Sequence, residues 1–244
     1  MRARIATGLC AIALGLALRE CVAQTPASRS DVDLGSLPLH VVASKMSPPV
    51  ALAVMLTGDG GWADIDRRIA DVLAAHGVGV VGLDSRAYLM HERTPDEAAA
   101  DIARIIRQYS PQWSARVAII GYSRGADMAP FIVNRLPADL HSAVSLVALL
   151  GPAERADFHF HWTDLLSETS RPSDRPILPE LERLRGTTVL CVYGQDEKES
   201  LCRSADTSAV RVDRRPGRHH FDGNYDAIAS EILRLIAPAD ATSR

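Results

Sequence analysis

Positive charge is not in excess in this chain. Lys and Arg total 27 against 30 Asp and Glu, for a formal charge of −3, so nothing in the balance favours nucleic acid or anionic headgroups, which select basic patches. Apolar runs of membrane-spanning length are missing too, since the uncharged stretch 5–18 falls short of the roughly 20 residues a bilayer requires. There is no internal repeat and no low-complexity tract, which excludes solenoid and fibrous architectures. Nucleotide-binding signatures are absent: the glycine-rich run Thr57-Gly58-Asp59-Gly60-Gly61-Trp62 lacks both GxGxxG spacing and a Lys-Ser/Thr ending, and Asp59 would repel phosphate. Cysteine is scarce at four residues, and the histidines, His159 and His161 among them, show no spacing familiar from metal sites. No metal, no cofactor and no nucleic-acid partner is expected.

What is present begins with an export signal. Met1-Arg2-Ala3-Arg4 is basic, 5–18 is uncharged, and Arg19-Glu20-Cys21-Val22-Ala23 ends in small residues, the layout of a cleaved secretory signal. Cys21 invites lipidation, but Arg19 and Glu20 stand where a lipidation signal wants small or apolar residues, so cleavage near Ala23 and a soluble periplasmic product are expected. Residues 1–23 are then the signal, 24–36 a leader and 37–244 the folded domain. Cleavage removes three Arg and one Glu together with Cys10 and Cys21. The remainder has a formal charge of about −5. It keeps Cys191 and Cys202, an even pair in an oxidising compartment, for which a disulfide is expected; two buried thiols are the alternative.

The mature chain, drawn from 244 residues that are 47% hydrophobic and 23% charged, suits one sizeable core. Strand-like segments at 38–44, 50–56, 78–83, 116–121, 143–150, 188–193 and 209–213 alternate with helical patterns. Ile65, Ile69, Val72, Leu73 and His76 form one helical stripe, closed by Gly77. Thr94-Pro95-Asp96-Glu97 announces another helix, with a capping hydroxyl, proline at the first turn and a carboxylate three residues on. A third is expected over 126–136, and Ile228, Ile232, Leu235 and Ile236 mark a terminal one. Apolar strands alternating with helices predict an α/β fold with a mostly parallel sheet covered on both faces. The stretch 152–185 interrupts the alternation as an insertion over one sheet edge, within which 158–162 reads as an edge strand.

Chemistry concentrates at Gly121-Tyr122-Ser123-Arg124-Gly125. GxSxG also occurs in ordinary tight turns, but a strand before and a helix after make it a nucleophile elbow, with Ser123 exposed on a strained turn. Serine needs a base held by a carboxylate, and in an α/β-hydrolase order these follow as acid, then histidine. Asp196 after the strand 188–193 is the expected acid, with Glu197 and Glu199 as competitors placed in a following helix. His219 is the expected base over its neighbour His220. Oxyanion donors are expected from the amide of Arg124 and from Asp59 or Gly60. Asp84, Asp127 and Asp222, with Asp59, suggest a pocket that accepts a cationic substrate, although Asp127 also suits the first turn of a helix.

Taken together, Gly58-Asp59-Gly60-Gly61-Trp62, Asp84-Ser85, Arg93-Thr94-Pro95, the elbow with Ala126-Asp127, the 193–196 turn with Cys202, and 217–223 containing His219-His220-Phe221 span most of the mature chain in order. This combined pattern resembles the VirJ and AcvB family of exported bacterial virulence proteins, in the α/β-hydrolase superfamily, and the length is similar to its single-domain form. Arg124 stands where that pattern has Phe. The resemblance implies a periplasmic serine hydrolase that removes the aminoacyl group, notably lysyl, from aminoacylated phosphatidylglycerol at the inner membrane, with a link to type IV secretion components. A non-catalytic partner of that apparatus and a small-ester or dienelactone-type hydrolase are the competing readings.

Overall fold

Seven strands form one sheet in the computed structural model, which describes residues 34–35, 37–161, 171, 173–184 and 186–236. The expected signal, the leader apart from Leu34 and Gly35, and Trp162 lie outside the described residues. In chain order the elements are β1 (Leu39–Val42), β2 (Ala51–Leu56), α1 (Asp64–Ala75), β3 (Val78–Leu83), α2 (Ser85–Tyr88), α3 (Pro95–Trp113), β4 (Val117–Tyr122), α4 (Arg124–Val133), α5 (Ala138–Ala143) and β5 (Val144–Leu150). There follow β6 (Arg155–Ala156), β7 (Arg175–Pro176), α6 (Leu178–Arg183), β8 (Thr188–Gly194), α7 (Leu201–Ser204), β9 (Arg211–Arg215) and α8 (Tyr225–Ile236).

The sheet order is β1-β3-β2-β4-β5-β8-β9, with β1 antiparallel to β3 and every other pairing parallel. β2 explains why the central strands read as unbroken apolar runs. Leu52, Val54 and Leu56 face a layer that holds Ile102, Ile105 and Ile106 of α3 and Phe131 of α4. Ala51, Ala53 and Met55 face Ile65, Ile69 and Leu73 of α1 and Ile228 and Ile232 of α8. Both faces are covered, and alternation would have left one side wet. From β2 the chain crosses to β3 on one side and then returns to β4 on the other. The carboxyl ends of β2 and β4 therefore bound a switch point, where open α/β sheets place their ligands.

Local signals explain several boundaries. The Thr94 hydroxyl accepts from Glu97 N at 3.2 Å while the Glu97 carboxylate accepts from Thr94 N at 2.7 Å, a reciprocal cap that starts α3 behind Pro95. Gly77 ends α1 at φ 90°. Cys191 of β8 and Cys202 of α7 form a disulfide, with Cα atoms 5.5 Å apart. Two expectations need correction. The helix after the elbow begins at Arg124, immediately after Ser123, and 158–162 is not a strand among its described residues. Phe158 and Phe160 are buried on alternate positions, which imitates strand periodicity, but their backbones bond elsewhere: Phe160 N to Leu89 O at 2.9 Å, and Arg93 N to Phe158 O at 3.0 Å. The insertion's own sheet is the two-residue pair β6 and β7.

Candidate active site

Ser123 occupies the junction between β4 and α4 with φ 52° and ψ −122°. A non-glycine residue there costs on the order of 1–3 kcal/mol and persists only when its surroundings impose it. They do: Ser123 N donates to Leu150 O at 2.8 Å, and Ser123 O accepts from Ala126 N at 2.8 Å and Asp127 N at 3.0 Å. Gly125 has no room for a side chain, because a Cβ would drive into the backbone of Leu56 at the end of β2. The sharp turn lifts the hydroxyl off the sheet edge. Arg124 N then lies at the first position of α4, where an amide has no intrahelical acceptor.

The glycine-rich loop after β2 lies against this elbow. A Cβ on Gly58 would come 3.0 Å from that of Ser123, and Gly61 N closes the loop onto Gly58 O at 3.1 Å. Thr57 is buried, its hydroxyl accepting from Ser85 N at 2.9 Å. Arg124 and Asp59 join loop to elbow by a fork, Nε to Oδ1 at 2.5 Å and Nη2 to Oδ2 at 3.1 Å. The Arg124 side chain is only 11% exposed, so its charge is spent on Asp59 inside the cleft wall.

His219 lies in the segment after β9, with its ring against Gly151. A Cβ on Gly151 would sit 2.8 Å from the ring's Cε1, and the glycine holds φ 62°. Its Nδ1 is 2.7 Å from Glu197 Oε1, and the other Glu197 oxygen accepts from Gly194 N at 2.5 Å. A carboxylate only accepts, so Nδ1 carries the proton and Nε2 is left as the acceptor. This corrects the expected acid. Asp196 is exposed and is engaged through its backbone, N to Gly217 O at 3.0 Å. The reason lies in the turn: Glu197 N returns to Gly194 O at 3.0 Å, which brings the fourth residue of the turn back over the strand end and leaves the third outside. No helix intervenes, because α7 starts only at Leu201.

His220 is exposed, and its Nδ1 lies 2.9 Å from the Tyr122 hydroxyl, which also reaches His219 O at 3.3 Å. Burial pushes the Tyr122 hydroxyl above its ordinary value, so it remains protonated and tethers the histidine segment to the end of β4. Ser123, His219, Glu197, Arg124, Asp59 and Asp127 all line one cleft of about 540 Å³. Ser123 Oγ makes no hydrogen bond among the described residues; contacts between nucleophile and base commonly tighten only once substrate is in place. Carboxylates outnumber arginines seven to three among the lining residues. Several are already engaged, Asp127 by Ala153 N at 2.7 Å and Asp157 by Arg171 at 3.5 Å and His161 at 3.1 Å. Asp84 and Asp222 are not among that lining. Asp84 caps α2 by accepting from Ala87 N at 2.9 Å, and Asp222 is exposed at φ 50° in the short turn after His219.

Residues 50–239 match the family described as bacterial virulence protein (VirJ), and the chain belongs to that family. No curated protein sequence matches it. Among solved structures, Est1E from Butyrivibrio proteoclasticus is 15% identical with a TM-score of 0.57, over 82% of this chain and 93% of its own. MenH from S. aureus is 11% identical with a TM-score of 0.60, over 83% and 98%. A lipase-esterase related protein from Clostridium acetobutylicum is 15% identical with a TM-score of 0.55, over 81% and 99%. At such identities the likeness establishes the fold, which is that of the α/β-hydrolases.

Proposed function

We propose that this chain is an exported serine ester hydrolase whose substrate is the lysyl ester of aminoacylated phosphatidylglycerol, met at the periplasmic face of the inner membrane. The observation that carries the reading is the 2.7 Å pair of His219 and Glu197 in the same cleft as a strained Ser123. Ser123 Oγ attacks the acyl carbon while His219 Nε2 takes its proton. The amides of Arg124 and of Asp59 or Gly60 hold the developing oxyanion. Collapse breaks the ester bond as His219 returns the proton to the leaving alcohol, and leaves an acyl-serine. Water, deprotonated by the same imidazole, then releases lysine and restores the hydroxyl. Glu197 keeps the proton on Nδ1 and stabilises the imidazolium as it forms. The excess of carboxylates around the cleft favours an ammonium-bearing acyl group.

The test is release of free lysine from vesicles containing lysyl-phosphatidylglycerol. Wild type should release it, and Ser123→Ala should lower the rate by about 10³-fold or more. Intact lipid with wild type removes this substrate; equal turnover by Ser123→Ala removes this nucleophile. A second reading, a hydrolase of small neutral esters, is favoured by the Arg124 fork, which neutralises Asp59. Faster turnover of short aryl esters than of the aminoacyl lipid would select it.

A further inference from the structure

The segment that carries Glu197 is closed at its base by a covalent bond. Cys191 and Cys202 are eleven positions apart and bridged, so the turn bearing the acid is the arc between them. α7, at four residues, is far too short to hold itself as an isolated helix. The bridge fixes it to β8, and Leu201 N donates to Pro152 O at 3.1 Å, beside the Gly151 that backs His219. The next residue after the bridge is Arg203. Its Nε donates to Glu197 O at 3.0 Å, its Nη2 donates to Gln195 O at 3.1 Å, and the guanidinium lies 5.1 Å over the Tyr193 ring. From the other side, Gln195 N donates to Arg215 O at 2.7 Å and Asp196 N to Gly217 O at 3.0 Å. The turn is held by its amides on one flank and by Arg203 on the other. Arg203 is not among the residues lining the cleft.

We propose that Arg203, placed by the adjacent disulfide, is a positioning residue for the Glu197–His219 pair. The inference rests on the hydrolase reading above. A rigid guanidinium fork holds two carbonyls two residues apart with less loss of freedom than an ammonium on a flexible stem. Without it both carbonyls turn to water, and the Glu197 peptide is released from the orientation that gives its carboxylate both Gly194 N and His219 Nδ1. The groups facing His219 are Glu197, the rings of Tyr122 at 5.3 Å and His220 at 5.9 Å, and Asp127 and Glu199 on the cleft. Of these, Arg203 bonds only Glu197, through its backbone, among the described residues.

The experiment is the rate of fluorophosphonate labelling of Ser123 across pH, on the full mature chain with its disulfide intact. Arg203→Met should label about tenfold more slowly at the plateau. Its half-maximal pH should also fall, because a nearby carboxylate favours protonated imidazole and a loosened one favours it less. Arg203→Lys should recover part of both. Arg203→Gln gives the same comparison should the methionine variant fail to fold. Unchanged plateau and midpoint, or a lower plateau at an unmoved midpoint, overturns the positioning role while labelled wild type keeps the hydrolase reading. Wild type that does not label at Ser123 overturns the hydrolase reading, and this inference with it.

Discussion

Asp66 stands beneath the glycine-rich loop, and its carboxyl makes the stability of this fold depend on pH in an unusual sense. The residue is fully buried in α1, with Oδ2 accepting from Ala63 N at 3.0 Å and Oδ1 without a hydrogen-bond partner among the described residues. Burial, with Asp84 adding to it against the Ala63 amide, pushes the carboxyl up from 3.8 to about 7. Between those values the unfolded chain has released a proton that the folded chain keeps, so unfolding free energy falls as pH rises. The contribution is fully present below pH 4 and is lost above pH 7. Three pKa units correspond to about 4 kcal/mol, of which about 2–3 kcal/mol disappears between pH 5 and pH 8. Asp66→Asn keeps an acceptor for Ala63 N and cannot ionise. Urea unfolding of both proteins across that range isolates this carboxyl, since every other titration is shared. From pH 5 to pH 8 the variant should gain about 2–3 kcal/mol of stability relative to wild type. Parallel curves from pH 5 to pH 8 would refute the assignment of a neutral, desolvated Asp66.

Two further outcomes concern the cleft. Glu197→Gln should lower kcat for an aryl ester by about 10³–10⁴-fold, through loss of the acceptor that sets the His219 tautomer, while Asp196→Asn stays within about twofold. Reversed effects would return the acid to Asp196. Arg124→Met removes the cation now paired with Asp59 and should raise the preference for a lysyl over an alanyl ester by about fivefold, the worth of one partly exposed ion pair. An unchanged ratio of kcat/KM would show that Asp59 does not meet the acyl ammonium.

The fold was legible because its signals were redundant. Val78–Leu83 and Val117–Tyr122 are buried throughout, and such runs between helices of matching stripe leave few arrangements other than a covered parallel sheet. The Thr94 cap and Gly77 marked their helices from local chemistry alone. What escaped notice was short: α2, α5, α6 and α7 span four to six residues, less than two turns, so no periodicity accumulates. The 158–162 stretch was misread for the opposite reason. Its alternation is real, but it records Phe158 and Phe160 seeking the core, with Phe131 at 5.6 Å from Phe158, and not a ladder of backbone bonds.

The candidate site divides along the same physical line. Ser123 and His219 could be placed because each follows a strand whose end is visible in the sequence, and the structure brings both to one cleft. The acid depended on the phase of a turn, which adjacent acidic residues conceal. Asp196, Glu197 and Glu199 are chemically near-equivalent as text, and the return of Glu197 N to Gly194 O accompanies the one carboxylate that meets His219. The signal that existed was Gly194, a backbone donor at the end of the buried strand β8, together with the side-chain length needed to reach back to it. A glutamate one position later spans that distance while its own amide closes the turn, whereas an aspartate at 196 has its backbone committed to Gly217 on the opposite flank. Asp84 and Asp222 failed as pocket residues for a related reason. Their place after a strand or beside a histidine was correct, but Asp84 spends its carboxylate on the first turn of α2, a demand that any acid before a short helix meets first.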